Sequence, residues 1–257
     1  MNVAALLEPI TELAFRAGEA VMRVYDDPHA LAATIKADGS AVTEADQAAE
    51  ALIEAGLAAL APEVPRIAEE AAAAGRAPAG AARMFLVDPL DGTREFVARN
   101  GEFTVNIALV EDGAPVLGIV VAPALKRAWR AAEGRAEVCD VGGAWRPIRV
   151  RPRPPEGADV LVSRSRVDAA VDRWLQQQAV RRRVPMGSSL KFCRIAEGAA
   201  DLYPRFGPTC AWDTAAGQAV LEGAGGTVLT LAGARLSYDA LDPAKGYRNE
   251  SFVASGG

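Results

Sequence analysis

The sequence predicts an α/β protein in two halves, an α+β half over residues 1–150 and an α/β half over 151–257. Three observations predict it. Apolar residues recur at helical spacing near the N-terminus, β-rich runs separated by turn pairs fill the middle, and a proline-rich break precedes alternating strand and helix patterns. A chain of 257 residues, half hydrophobic and 24 % charged, has the composition of a globular protein able to bury a large core.

Leu6, Leu7, Ile10, Leu13, Ala14, Ala17, Val21 and Val24 share one helical face and predict a first helix over 3–24. Lys36 to Ser40 reads as a hairpin or a loop. Thr43-Glu44-Ala45-Asp46 then resembles a capping box, with Ala48, Ala49, Leu52, Ile53 and Leu57 behind it, and predicts a second helix. Met84 to Val87 is an apolar, strand-like stretch. Residues 103–110 and 115–122 are β-rich and joined through Asp112-Gly113, a hairpin signal, and another hairpin is expected over 127–150 around Glu133-Gly134 and Gly142-Gly143. Arg151-Pro152-Arg153-Pro154-Pro155-Glu156-Gly157 is the most linker-like segment and marks the boundary between the halves. Beyond it the patterns predict a strand at 159–163, a helix at 167–178, a short strand near 182–185, a helix at 189–198, and strands at 226–231 and 250–254.

Several function classes are excluded by composition. Met1 to Tyr25 carries acids throughout and does not resemble a signal peptide, and no run of about eighteen apolar residues is present to span a membrane. Cys139, Cys193 and Cys210 are scattered, with no metal or disulfide spacing, which fits a reducing cytoplasm. A net charge of −5 argues against binding a nucleic-acid polymer, but not against a small anion held through a cation. The single histidine, His29, cannot build a histidine-rich zinc site, and acid–base work falls to carboxylates, hydroxyls or metal-activated water.

The most informative segment is Val87-Asp88-Pro89-Leu90-Asp91-Gly92-Thr93. Pro89 fixes the backbone, so both acids and the Leu90 carbonyl can turn toward one point, and converging oxygen ligands suit a hard cation such as Mg²⁺. Gly92 permits close approach of a ligand, and the N–H groups that open the next element can hold a phosphate. The same residues would also make an ordinary capped turn. Two further acidic positions weigh against that. Glu69-Glu70 closes the run Arg66-Ile67-Ala68, and Asp213 stands in Trp212-Asp213-Thr214-Ala215-Ala216-Gly217. Singly, Asp213 could cap a helix for about 1 kcal/mol and the glutamates could be a solvated helix end.

Glu-Glu, then D-P-L-D-G-T, then W-D-T-A-A-G, in this order and spacing, resemble the lithium-sensitive, Mg²⁺-dependent phosphatase superfamily. That superfamily includes inositol monophosphatases, fructose-1,6-bisphosphatases and 3′(2′),5′-bisphosphate nucleotidases. The resemblance implies a layered αβαβα sandwich with the site between the halves. It implies that Glu69, Asp88 and the Leu90 carbonyl hold one Mg²⁺, that Asp88 bridges to a second completed by Asp91 and Asp213, and that Glu70 reaches a third, weaker ion through water. It further implies that Thr93 and Asp46 orient and deprotonate the attacking water, and that the N–H groups of Gly92 and Thr93 hold phosphate oxygens.

Arg94 to Leu109, the word G-S-S-L-K-F at 187–192 and the word L-Y-P-R-F-G-P-T at 202–209 resemble the CysQ-type 3′(2′),5′-bisphosphate nucleotidases within that superfamily. The implied reaction converts 3′-phosphoadenosine 5′-phosphate to AMP and phosphate. Where inositol-directed members carry a glutamate, this chain aligns Arg205, and a cation there suits a second phosphate better than a polyol. Lys191 could serve as a further point charge and Ser188 as a ligand contact. Alternatives stay open at each: Arg205 could pair with Asp201, Lys191 could be solvated, and Ser188 and Ser189 could cap a helix. Arg181-Arg182-Arg183 reads as a solvated strand entry before a phosphate trap. The resemblance leaves open a homodimer and a peripheral inner-membrane contact, although Glu8, Glu12 and Glu19 make the first helix a poor membrane surface. An inositol monophosphatase, a broad sugar-phosphate phosphatase and a non-catalytic metal- and nucleotide-binding sensor remain as rivals.

Overall fold

The computed structural model describes residues 2–27, 34–35, 41–42, 44–166 and 168–257. His29, the Lys36–Ser40 segment and the Thr43 capping position lie outside them. Helix α1 (Val3–Tyr25) is capped by Asn2, whose side chain accepts the Ala4 N–H at 3.0 Å. β1 (Thr34–Ile35) and β2 (Ala41–Val42) pair antiparallel, and α2 (Glu44–Leu60) follows. Then come β3 (Arg66–Ala68), α3 (Glu69–Ala73), β4 (Arg83–Asp91), α4 (Thr93–Val97), β5 (Thr104–Glu111), β6 (Ala114–Ala122), β7 (Arg127–Ala132), β8 (Arg135–Asp140) and β9 (Arg146–Pro147). Strands β3 to β9 form a seven-stranded sheet in sequence order, antiparallel except for the parallel β3–β4 pair. The Asp112-Gly113 and Glu133-Gly134 turns both take positive φ at each residue, the geometry that matches the twist of a two-residue hairpin.

The second half contributes β10 (Ala158–Ser163), α5 (Ala169–Leu175), β11 (Val180–Met186), α6 (Leu190–Ala196), β12 (Leu202–Arg205), a 3₁₀ turn (Ala211–Asp213), α7 (Ala215–Gly223), β13 (Thr227–Thr230) and β14 (Phe252–Ser255). These strands form a five-stranded sheet of order β11-β10-β12-β14-β13.

Alternation along the strands explains the layers. Phe85, Val87, Val105, Ile107 and Leu109 face the apolar stripes of α1 and α2. Met84, Leu86, Ala108 and Val110 face the other way, into a core shared with α6, α7 and the second sheet. Val171 and Leu175 of α5 cover the far side of that sheet against Ala158, Val160 and Leu202. The result is the expected αβαβα sandwich. Both faces of the first sheet are buried, so its strands read as nearly continuous apolar runs. Among the described residues, no helix is long and apolar enough to cross a membrane.

The structure differs from the sequence expectation in the short elements β3, α3 and α4, which were not predicted, and in three further details. Helix α5 is shorter than 167–178, opening where Asp168 accepts the Ala170 and Val171 N–H groups. β12 was not expected, because Leu-Tyr-Pro-Arg has no period-two alternation; all four of its residues are buried. The segment after residue 150 is anchored rather than slack. Arg151 donates to Asp201 at 2.8 and 2.9 Å and to the fully buried Asp159 at 2.9 Å. Arg181 and Arg182 also bond to Asp159, and Arg183 to Asp172, so this exposed arginine run is held by local acids.

Helix α7 lies so close to β6 that a Cβ on Gly118 would stand 2.5 Å from the Ala216 carbonyl oxygen and 2.6 Å from the Ala219 Cβ. Gly118→Ala should therefore cost about 1–3 kcal/mol through overpacking, read as a lower urea midpoint. An unchanged midpoint would contradict this packing.

Candidate active site

Asp88 and Asp91 are three residues apart, a spacing that on a regular strand puts side chains on opposite faces. The register of β4 on β5 changes this. Asp88 pairs with Asn106 and Asp91 with Thr104, so three steps on β4 match two on β5. Such a bulge bends the strand and re-aims the side chains beyond it. Pro89, with no N–H for the ladder, sits inside it. Gly92 then takes φ +94°, and a Cβ there would lie 3.1 Å from the Glu102 carbonyl oxygen and 3.3 Å from Ser188 Cβ. The left-handed backbone favours glycine, and a side chain would also crowd both neighbours.

Glu69 reaches the same place by a different route. β3 runs parallel to β4 with Ala68 opposite Val87, so Glu69 leaves its strand beside Asp88 and opens α3. Asp213 arrives from the second half. It sits in the 3₁₀ turn before α7 and accepts the Cys210 N–H at 2.8 Å, so it does not cap α7; Thr214 holds that position. Asn249 ties the turn down, its amide standing 2.7 Å from the Cys210 carbonyl, 2.9 Å from Thr214 Oγ1 and 3.1 Å from Thr209 Oγ1.

These acids line a cavity of about 500 Å³ together with the Leu90, Gly92, Thr93 and Ser188 positions. Lys191, Arg205 and three further arginines, Arg94, Arg166 and Arg248, share it. Lys191 is 5 % exposed and donates to the Ser188 and Met186 carbonyls. Burial pulls its pKa down to about 8, against Asp91, which favours the charged form. Arg205, 9 % exposed, donates to the Pro208 carbonyl at 2.8 Å, and among the described residues its Nε has no hydrogen-bond partner. Asp201 belongs to Arg151, so Arg205 is not spent on it. Ser188 Oγ accepts the Leu190 N–H at 3.4 Å, whereas Ser189 provides no side-chain cap and instead bonds Thr104 and Asn106.

Burial raises the Asp88 pKa well above the carboxylate range, and Glu69, Asp91, Asp213 and Asp46 raise it further by like charge. Asp91 is pushed up to about 7 by burial and by Asp213, and Asp213 is raised by burial despite the Cys210 N–H and the neighbouring cations. Among the described residues, no three acidic, thiol or imidazole groups already close on one point as a finished ligand set. Instead the backbone fixes each acid separately: the Leu90 N–H donates to Asp88, the Ser189 N–H to Asp91, and the Cys210 N–H to Asp213. Buried and half-buried carboxylates lining one cavity offer oxygen donors that fit a hard divalent cation able to neutralise them.

Two expected site residues do not line the cavity: Asp46, buried in the first turn of α2, and Glu70 in α3. Sequence reasoning missed Arg94, Arg166 and Arg248, whose scattered positions carry no spacing signal. It also missed Glu50, one helical turn after Asp46, which accepts two N–H groups from α3.

The family model described as the inositol monophosphatase family matches residues 2–254. The 3′(2′),5′-bisphosphate nucleotidase CysQ of Salmonella typhimurium is 48 % identical over 250 residues, 96 % of this chain and 98 % of that protein. The protein of the same name from Escherichia coli K12 is 47 % identical over 253 residues, 97 % of this chain and 99 % of that one. The crystal structure of CysQ from Bacteroides thetaiotaomicron superposes with a TM-score of 0.79 at 33 % identity, over 95 % of this chain and 94 % of that one.

Without metal, the raised Asp91 carboxyl holds a proton that the unfolded chain has already lost above about pH 4. The folded state then binds more protons up to about pH 7, so stability contributed by this group is present at low pH and is lost as pH rises through that window. Chelator-treated protein should therefore lose thermal stability between about pH 4 and 7 more steeply than Asp91→Asn, with Mg²⁺ restoring the wild type at the upper end. Equal slopes would contradict the shift.

Proposed function

The chain belongs to the inositol monophosphatase family of metal-dependent phosphatases, and from that premise we propose a Mg²⁺-dependent 3′(2′),5′-bisphosphate nucleotidase that converts 3′-phosphoadenosine 5′-phosphate to AMP and phosphate. The observation that carries this reading is the meeting of Glu69, Asp88, Asp91 and Asp213 with Lys191 and Arg205 in one cavity. The acids suit metal ions at the reacting phosphate, and the cations suit a substrate with a second phosphate. Full-length relatives near 48 % identity bear the same activity in their names.

In this reading Glu69, Asp88 and the Leu90 carbonyl would hold one Mg²⁺, Asp88, Asp91 and Asp213 a second, and Glu70 a third, weaker one. Bound Mg²⁺ supplies positive charge to the transferring phosphoryl group and its leaving oxygen and acidifies the attacking water. The chain's own groups do the rest. Gly92 and Thr93 direct N–H groups from the start of α4 at the phosphate oxygens. The Thr93 hydroxyl, 3.4 Å from the Leu90 carbonyl, orients the water for in-line attack, and Asp46 takes the proton through it. Arg205, whose Nε has no partner among the described residues, and Lys191 hold the second phosphate, and Ser188 lies against the substrate.

The work is divided between a subdomain over residues 1–150, which carries most of the metal ligands, and one over 151–257, which carries Asp213 and the substrate-selecting cations. The strands of the two sheets fall on either side of that boundary. The proposed setting is cytoplasmic, with a small nucleotide rather than a nucleic-acid polymer as partner. A homodimer and a peripheral contact with the inner membrane are the assemblies to examine.

Phosphate release with Mg²⁺, from 3′-phosphoadenosine 5′-phosphate and inositol 1-phosphate side by side and with or without lithium, tests the reading. The nucleotide should be strongly preferred and its turnover inhibited by lithium. Arg205→Ala should lower kcat/KM for the nucleotide by about 10- to 100-fold, the loss of a charge-assisted hydrogen bond, while sparing inositol 1-phosphate. Preference for inositol 1-phosphate would leave the metal core and overturn the substrate assignment. Release from neither would overturn the catalytic assignment.

A further inference from the structure

Glu50 is a buried acid to which the proposed catalysis gives no task. It lies on α2, four residues after Asp46 and on the same helical face, and is 6 % exposed. One of its carboxylate oxygens accepts the Glu70 N–H at 2.7 Å and the other the Ala71 N–H at 2.8 Å. These are the second and third residues of α3. The residue in the capping position of that helix, Ala68, has no side chain able to accept them. Glu50 therefore satisfies, from another helix, two N–H groups that α3 would otherwise leave without partners.

Helix α3 depends on such an anchor. It is five residues long, too short to be stable on its own, and none of its residues is fully buried. Ala71 and Ala72 pack only partly against the two cores. A buried carboxylate beside Glu54 and Glu70 is a poor choice for stability alone, since like charges and lost hydration both oppose it. What the arrangement achieves is directional. The α2 face that carries Asp46 also grips the turn that carries Glu69 and Glu70, and Glu69 stands beside Asp88.

We infer that Glu50 is a positioning residue that clasps the first turn of α3 to α2 and so sets the aim of Glu69 and Glu70, and with it the affinity of the site for divalent metal. The inference rests on the proposed metal role of those glutamates. Supporting groups behind metal ligands commonly change affinity by about 10- to 100-fold when altered.

The test is Mn²⁺ binding to the chelator-stripped full chain, by calorimetry or by the electron paramagnetic resonance signal of free Mn²⁺, for the wild type, Glu50→Gln and Glu69→Gln. Glu50→Gln keeps the shape but sets an amide NH₂ against a backbone N–H. It should raise the Mn²⁺ dissociation constant about 10-fold or more, with little change in the melting temperature of the stripped protein. Glu50→Asp, which keeps the charge but withdraws it by one methylene, should weaken binding in the same direction and provides the comparison if the glutamine variant fails to fold. Unchanged Mn²⁺ affinity in a folded Glu50 variant overturns the inference, as does loss of folding in both, which would make Glu50 a structural residue. A wild type that binds no Mn²⁺, or Glu69→Gln with unaltered affinity, instead overturns the metal reading on which the inference stands.

Discussion

A buried Asp88 and the half-buried Glu69, Asp91 and Asp213 are brought together at the end of β4, and the rest of the site depends on that. Asp88 is 1 % exposed and surrounded by Glu69, Asp91, Asp213 and Asp46, all of which oppose its ionisation. Like charges gathered in a poorly solvated site repel one another and favour the protonated form. Such an arrangement persists only where the scaffold holds each acid separately, and it becomes favourable once a divalent cation is present. Burial and like charge favour the protonated forms of Asp88, Asp91 and Asp213, and a divalent cation bound among them would take the place of those protons.

The scaffold meets this demand with backbone rather than with counter-charges. The bulge around Pro89 turns Asp88 and Asp91 to one side, the parallel β3–β4 pairing brings Glu69 alongside, and the turn before α7 carries in Asp213 from the second half. Each of Asp88, Asp91 and Asp213 accepts a backbone N–H. Cations stand in the same cavity without being consumed by those acids: Lys191 is bound by carbonyls and Arg205 by the Pro208 carbonyl. The acids and the cations of the cavity are thus kept apart by the hydrogen bonds each makes to the main chain.

Much of this architecture was legible in the sequence, because long periodic segments and turn pairs report local physics. The stripe of α1, the hairpin at Asp112-Gly113 and the strand that carries Asp88 are of this kind. The illegible parts are those decided by tertiary neighbours. Lys191 looks like a surface residue of a short helix, yet it is buried, because α6 turns that face to the cavity. Asp201 looks like a partner for Arg205, yet Arg151 takes it from fifty residues away. Asp213 reads as a helix cap, but its carboxylate bonds backward to Cys210. Glu50 is a plain helical acid until the N–H groups of α3 are placed against it.

The most direct measurement is a crystal structure of the chain grown with Mn²⁺, with anomalous difference density collected at the manganese edge. Peaks are expected between Glu69 and Asp88 and between Asp88, Asp91 and Asp213. Density with no anomalous peak at these acids, at Mn²⁺ concentrations that support phosphate release, would contradict the metal assignment.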